Sequence, residues 1–405
     1  MRYFTVIAII SLTFAESIQN GVVKPIHFST KNKKKDSLNF LLTGDWGWNG
    51  YNQTLTAYQM GVYSWLISAE FVIALGDNFY VDGVTNTSDP TWNRAFHDVY
   101  TSKYLKIPWF PILGNHDYHG NTTAQIERSK VDDMWTMPAK YYYYVYDIPH
   151  GGTLCIVYID TQIIDPSAHD TESMYENPNW ENNRKEHLEW IVRVLSEQNR
   201  TATWLLVAGH YPVYSIGDSG DNNQLITSLL PILKESNVHA YICGHDHNHQ
   251  HIYKDNFHFI VDGSGGGRGP LGPNGLRHLG ISAATNNMEH YFLTCGFSFI
   301  EATQGTLKIN FVDNIGRIHY VAVLGNPFPN YFLSSQGISA FYTTNPTLSV
   351  FLILLMIAIP MIIIGGYGYW KMKEKSPRII QKDTAIDVSE RSTTSSMLFI
   401  DKEKG

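Results

Sequence analysis

Five short, largely apolar runs in this 405-residue chain end in the same way, in glycine followed by a side chain able to bind metal. They are Gly44-Asp45-Trp46-Gly47, Gly76-Asp77-Asn78-Phe79-Tyr80, Gly114-Asn115-His116-Asp117, Gly209-His210-Tyr211-Pro212 and Gly244-His245-Asp246-His247. Short apolar runs closed by turn formers read as buried strands, and open α/β sheets gather ligands beyond the carboxyl ends of their strands. The five turns are therefore expected to converge. Taken singly, each has an ordinary reading: Asp at a strand end caps a helix, Asn and Gly form turns, and a lone His is a hydrogen-bonded core residue. Five in series go beyond that reading. In the last block, strand alternation would point His245 and His247 in opposite directions, so two adjacent metals, each taking one ring, suit the pair better than one.

The rest of the chain fits a layered α/β domain. Strands are expected at Leu38–Thr43, Phe71–Leu75, Trp109–Leu113, Leu154–Asp160, Thr203–Ala208 and Val238–Cys243, with helices at Thr54–Ser68, Trp92–Tyr104, Arg184–Ser196 and Gln224–Glu235. Tyr-rich Lys140–Pro149 suggests a hairpin. Beyond the Gly/Pro-rich loop Ser264–Gly275, the stretches Tyr291–Glu301, Thr306–Val312 and Ile318–Val323 read as consecutive antiparallel strands, which suits two sheets packed face to face.

Both ends read as targeting segments. Residues 1–15, one Arg followed by an apolar run, have the form of a secretory signal peptide. Residues 348–370 carry no charge, are long enough to cross a bilayer, and precede Lys371, Lys373, Lys375 and Arg378. A lipid-anchor signal would end in its apolar stretch, whereas polar residues 371–405 follow here. The expected organisation is a lumenal or extracellular domain over 36–325, a linker at 326–347, a single transmembrane helix and a cytoplasmic tail: a type I protein of the secretory pathway, at the plasma membrane or in an endolysosomal compartment. The sequons at Asn52, Asn86, Asn121 and Asn199 all lie on the lumenal side of that arrangement, as N-glycans require. A net charge of −7 argues against nucleic acid as a partner. Cys155, Cys243 and Cys295 allow at most one disulfide and read as small core residues.

The forms GDWG, GDNFY, GNHD, AGHYP and GHDHN resemble those of the purple acid phosphatases, in particular the small mammalian-type, tartrate-resistant enzymes of the calcineurin-like metallophosphoesterase superfamily. The resemblance runs from about Leu38 to Val323. It implies a four-layer α/β/β/α sandwich of two mixed sheets, to which the transmembrane helix is an addition, and a dinuclear centre bridged by Asp77. Asp45, Tyr80 and His247 would complete a ferric site, and Asn115, His210 and His245 a divalent one filled by Fe, Zn or Mn. The ligand chemistry agrees, since a carboxylate can share its oxygens between metals and imidazole with amide oxygen suits a borderline divalent ion. The implied activity is acid hydrolysis of phosphate monoesters, on small molecules or phosphoproteins, with a water activated at the metal pair attacking phosphorus. His116 would stabilise the transition state or protonate the leaving group, and Asp117 and Asp246 would orient neighbouring histidines.

Two departures stand out. Ser219 occupies a position where the mammalian-type enzymes carry a second phosphate-facing histidine, and the region of their regulatory loop, Ile163–Trp180, has no cysteine. The competing readings are a phosphodiesterase or nucleotide pyrophosphatase of the same superfamily, and a non-catalytic surface receptor. The receptor predicts a broken ligand set, and all seven positions are intact.

Overall fold

The computed structural model describes residues 26–28, 35–165, 179–266 and 285–325. The expected signal peptide, transmembrane segment and tail lie outside them, and no helix among the described residues is long and apolar enough to cross a membrane.

Among the described residues, fourteen strands form two mixed sheets. In chain order they are β1 (Ile26–Phe28), β2 (Leu38–Thr43), β3 (Val72–Ala74), β4 (Trp109–Pro111), β5 (Tyr142–Asp147), β6 (Thr153–Tyr158), β7 (Trp204–Ala208), β8 (Ala240–Cys243), β9 (His249–Lys254), β10 (Phe257–Asp262), β11 (Met288–Phe292), β12 (Gly296–Ala302), β13 (Thr306–Asp313) and β14 (Ile318–Gly325). The larger sheet has the order β1-β5-β6-β7-β8-β10-β9-β11 and the smaller β14-β13-β12-β2-β3-β4. Strands β2, β3 and β4 run parallel, as do β6, β7 and β8, so the turns that carry the site leave each sheet at a carboxyl edge.

One apolar core fills the space between the sheets. It joins Phe40, Leu42, Ile73 and Phe110 of the smaller sheet to Tyr144, Ile156, Leu206 and Ile242 of the larger. Aromatic rings bridge the layers, with Phe71 stacked on Tyr146 at 4.3 Å and Phe110 against Tyr144 at 4.8 Å. A second core on the far side of the larger sheet packs Val157, Leu205 and Tyr241 against Trp190, Ile191, Val194 and Leu195 of a helix over Trp180–Gln198. Helix α1, Tyr51–Ile67, covers the smaller sheet, burying Ala57 and Met60 and laying Tyr63 on Phe297 and Phe299. Helices thus cover the outer faces of two mixed sheets, and the three cysteines are free and buried.

Several elements differ from their sequence expectation. Tyr291–Glu301 is not one strand: Leu293-Thr294-Cys295 breaks it, leaving β11 in the larger sheet and β12 in the smaller. Trp92–Tyr104 holds only two short helical turns, Trp92–His97 and Lys103–Leu105. Gln224–Glu235 is divided at Leu229, with Pro231 entering the second helix in its first turn, where its missing N–H costs nothing. The hairpin of β9 and β10 had no counterpart in the sequence reading. It turns at Asp255-Asn256, both at positive φ, the conformation a two-residue hairpin demands.

Candidate metal centre

Three of the five glycines that close these strands, Gly76, Gly114 and Gly244, leave room for a candidate ligand. A Cβ on Gly114 would stand 2.2 Å from Asp77 Oδ1, and one on Gly76, whose φ is +90°, would stand 2.5 Å from the His210 ring. The backbone is also held in unusual shapes: Asp45, Asp77 and His245 have φ of 57°, 51° and 70°. Non-glycine residues seldom adopt this region, and when they do it is commonly at a functional site. His245 lies in this turn after β8 has ended at Cys243, so the two histidines of the last block are separated by a left-handed turn, and strand alternation does not divide them.

Two groups of side chains meet. In the first, the Tyr80 hydroxyl donates to Asp45 Oδ1 at 3.1 Å and lies 3.1 Å from His247 Nε2, which is itself 3.4 Å from Asp45 Oδ1. In the second, His210 Nε2 lies 3.1 Å from Asn115 Oδ1, and its ring stands at 5.1 Å from that of His245. Asp77 lies between, with Oδ1 3.5 Å from His210 Nε2 and its charge felt by Tyr80. Asp45, Asp77 and His210 are fully or almost fully buried, and their ligand atoms lie within 4.8 Å of one another.

The donor chemistry asks for a cation. His210 Nδ1–H donates to the Leu75 carbonyl at 2.8 Å, which leaves the Nε2 lone pair facing two oxygens that are themselves acceptors. A metal ion or a proton must resolve that meeting. The electrostatics point the same way. Burial alone would raise Asp77, but His210, His116 and His245 outweigh it and hold the carboxyl below its usual range. Burial would lower His210, yet Asp77 and Asp45 raise it. Burial lifts Asp45 despite His247 and His210, and burial together with Asp45 and Asp77 drives the Tyr80 phenol well above 10. Tyr80 is therefore a phenol in the metal-free protein, and a phenolate there requires a strongly acidic metal.

His116 borders this cluster. Its backbone N–H donates to Asp77 Oδ1 at 2.9 Å, its Nδ1–H donates to the Val81 carbonyl at 2.8 Å, and Nε2 stands 4.0 Å from Asp77 Oδ2. His119, which the sequence reading did not single out, donates to the same carbonyl at 2.9 Å. The pair shares one 3₁₀ turn, His116–His119, in which side chains three apart fall on one side. That spacing was the available signal.

Asp117 and Asp246, expected to orient histidines, accept hydrogen bonds from other groups among the described residues. Asp117 accepts from the backbone N–H groups of Asn78 and Gly114 and from Gln125 Nε2, and burial followed by Asp77 pushes it up to about 7. It ties the second block to the third. Asp246 accepts from Ser215 Oγ and from the N–H and hydroxyl of Ser219, at 3.1 and 2.7 Å. Ser219 is thus committed to Asp246 and fixes the loop after the fourth block.

Comparison with known proteins agrees with this fold. The sequence model for calcineurin-like phosphoesterases matches residues 38–249. The tartrate-resistant acid phosphatase type 5 of Oryctolagus cuniculus is 33% identical over 299 residues, 69% of this chain and 89% of that protein. The chain belongs to the purple acid phosphatase family of calcineurin-like phosphoesterases. It is a hydrolase, an acid phosphatase. Purple acid phosphatase 17 of Arabidopsis thaliana is 31% identical, over 74% of this chain and 88% of its own. Among solved structures, the Plasmodium protein described as "GAP50 the anchor in the inner membrane complex" superposes with a TM-score of 0.64 at 27% identity, covering 72% of this chain and 90% of that one. Membership in the family implies a dinuclear metal centre, and the buried Asp45, Asp77 and His210 fit one.

Proposed function

We propose that the domain hydrolyses phosphate monoesters at a centre of ferric iron and a divalent ion, Fe, Zn or Mn. Asp45, Tyr80 and His247 would hold the ferric ion, Asn115, His210 and His245 the divalent one, and Asp77 would serve both. The observation that carries this reading is the meeting of two donor sets across one ionised carboxylate. When bound, the metal pair supplies a Lewis acid for the phosphoryl oxygens and acidifies water.

The chain's own residues supply the rest. The Leu75 carbonyl fixes the His210 tautomer. The Val81 carbonyl holds the His116 ring through Nδ1–H, so that its Nε2 edge, beside Asp77, would present a proton to the leaving oxygen. Comparing hydrolysis of a phosphomonoester with that of a diester tests the substrate class. Monoester turnover at acid pH is expected, and a preference for the diester would overturn the assignment.

We further propose a type I membrane topology, with residues 1–15 as signal peptide and 348–370 as span, at the plasma membrane or in an endolysosomal compartment. The structural likeness to a Plasmodium protein described as a membrane-complex anchor supports a membrane setting. Of the sequons, Asn86 and Asn121 are both exposed, and the Asn121 side chain also caps the helix Thr122–Arg128.

A further inference from the structure

The end of the smaller sheet opposite the metal turns carries an unusual surface. Asp45, Asp77 and Asn115 follow the parallel strands β2, β3 and β4, and the residues that precede the same strands form a groove on the other side. Lys35 enters β2, Ala69 and Glu70 enter β3, and Lys106 to Pro108 enter β4, joined by the end of α1. In its lining Trp65 is 56% and Tyr104 39% exposed, and Leu66, the next residue of α1 after Trp65, is 58% exposed. Trp65 and Tyr104 lie ring to ring at 6.3 Å, and Lys103 Nζ stands 5.0 Å from the Tyr104 ring. Lys106 donates to the Tyr100 carbonyl, and Lys35 is partnered by Ser68 and Glu70.

From these placements we infer that this pole rests on the headgroup layer of an anionic bilayer, through Trp65, Leu66 and Tyr104 with Lys35, Lys103 and Lys106 around them. The chemistry is that of an interface: Trp and Tyr rings prefer the boundary between hydrocarbon and water, and lysines beside them are drawn to anionic lipid. The chain's course selects the membrane as occupant. Strand β14 ends at Gly325, paired with Thr306 at the start of β13, and β13 joins β12 where Leu307 meets Ala302, the partner of Leu38. The chain therefore leaves the domain at this same pole, 22 residues before the uncharged stretch 348–370. The basic run Lys31, Lys33 and Lys34 immediately precedes Lys35 in sequence. The inference rests on the proposed span, and it turns the metal site away from the lipid.

Nitroxide labels on the full-length protein test it. The native cysteines are buried, so Leu66→Cys and Tyr51→Cys each give one accessible thiol, about 22 Å apart along one helix. The protein is reconstituted in nanodiscs of phosphatidylcholine with or without phosphatidylserine. With phosphatidylserine present, the label at position 66 is expected to gain accessibility to oxygen and lose it to a water-soluble nickel chelate by several-fold, while the label at position 51 does not change. Adding Lys103→Glu should reverse the gain. A position-66 label as open to the nickel chelate in discs as in detergent, or one broadened by a label on a second copy, overturns the docking while leaving the span intact. Failure to co-migrate with the discs overturns the span and the docking with it.

Discussion

At the residue scale, the centre depends on groups whose protonation their neighbours decide. Asp77 is held ionised against the pull of burial by three histidines. Asp77→Asn keeps the shape and removes the charge, so both metals should be held more weakly. Metal content of the purified variant should drop, with kcat falling by about 10²-fold or more. Undiminished metal and activity would exclude a bridging role. His116 makes a different prediction, because it touches no expected metal through its ring. His116→Ala should lower kcat about 10²-fold for an alkyl phosphate and much less for p-nitrophenyl phosphate, whose leaving group needs no proton, with metal content unchanged. Equal losses on the two substrates would assign His116 to charge stabilisation alone.

At the scale of elements, the histidine-bearing strands make the fold sensitive to acid. On β9, β10, β11 and β14, His251 Nε2 lies 3.0 Å from His258 Nδ1 and His290 Nε2 lies 3.0 Å from His319 Nδ1, between the edges of the two sheets. Burial, with neighbouring imidazoles, holds His251 at about 3 and His258, His290 and His319 at about 4. Buried His187, behind the larger sheet, is likewise held at about 3. The unfolded chain takes up these protons near pH 6.5 and the folded one only lower, so stability is full above about 6.5 and is lost as the pH falls toward 4. The melting temperature of the metal-loaded protein should fall steadily from about pH 7 to about 4.5, and His258→Phe should flatten part of that slope. A flat profile would contradict the neutral network. Packing beside the first metal turn is equally exposed to change. Trp46, next to Asp45, meets Phe79, Phe96, Tyr100, Trp109 and Trp135 at 5.5–6.4 Å, and Trp46→Ala should cost ~3–5 kcal/mol in denaturant titration.

The same elements show what was legible in the sequence. The parallel strands were readable because apolar runs such as Leu38–Thr43 and Trp204–Ala208 are buried on both faces and end in turn residues. β9 and β10 were not, because His249, His251 and His258 stand where apolar side chains would be expected, and only the packed sheets bury His249 and His251 fully and His258 in part. The site's side chains were readable from their blocks. The carbonyls of Leu75 and Val81 that set two ring tautomers were not, since backbone partners carry no sequence identity. Asp117 shows the same limit: adjacency to His116 suggested a histidine partner, and the turn instead aims it at backbone N–H groups.

At the scale of the whole molecule, the two sheets divide the labour. The smaller contributes Asp45, Asp77, Tyr80 and Asn115, the larger His210, His245 and His247, and the core between them fixes the distance across which the ligand sets face each other. The pole with Trp65 lies at the far end of the same strands, so a domain seated on a membrane there would present its centre away from the lipid. The most direct measurement of the central claim is metal analysis of the purified protein together with its visible spectrum, for the parent chain and Tyr80→Phe. Two metals per chain, at least one of them iron, with a phenolate-to-iron absorption band that the substitution abolishes, is the predicted result. A colourless protein that is free of iron and still hydrolyses phosphomonoesters would contradict it.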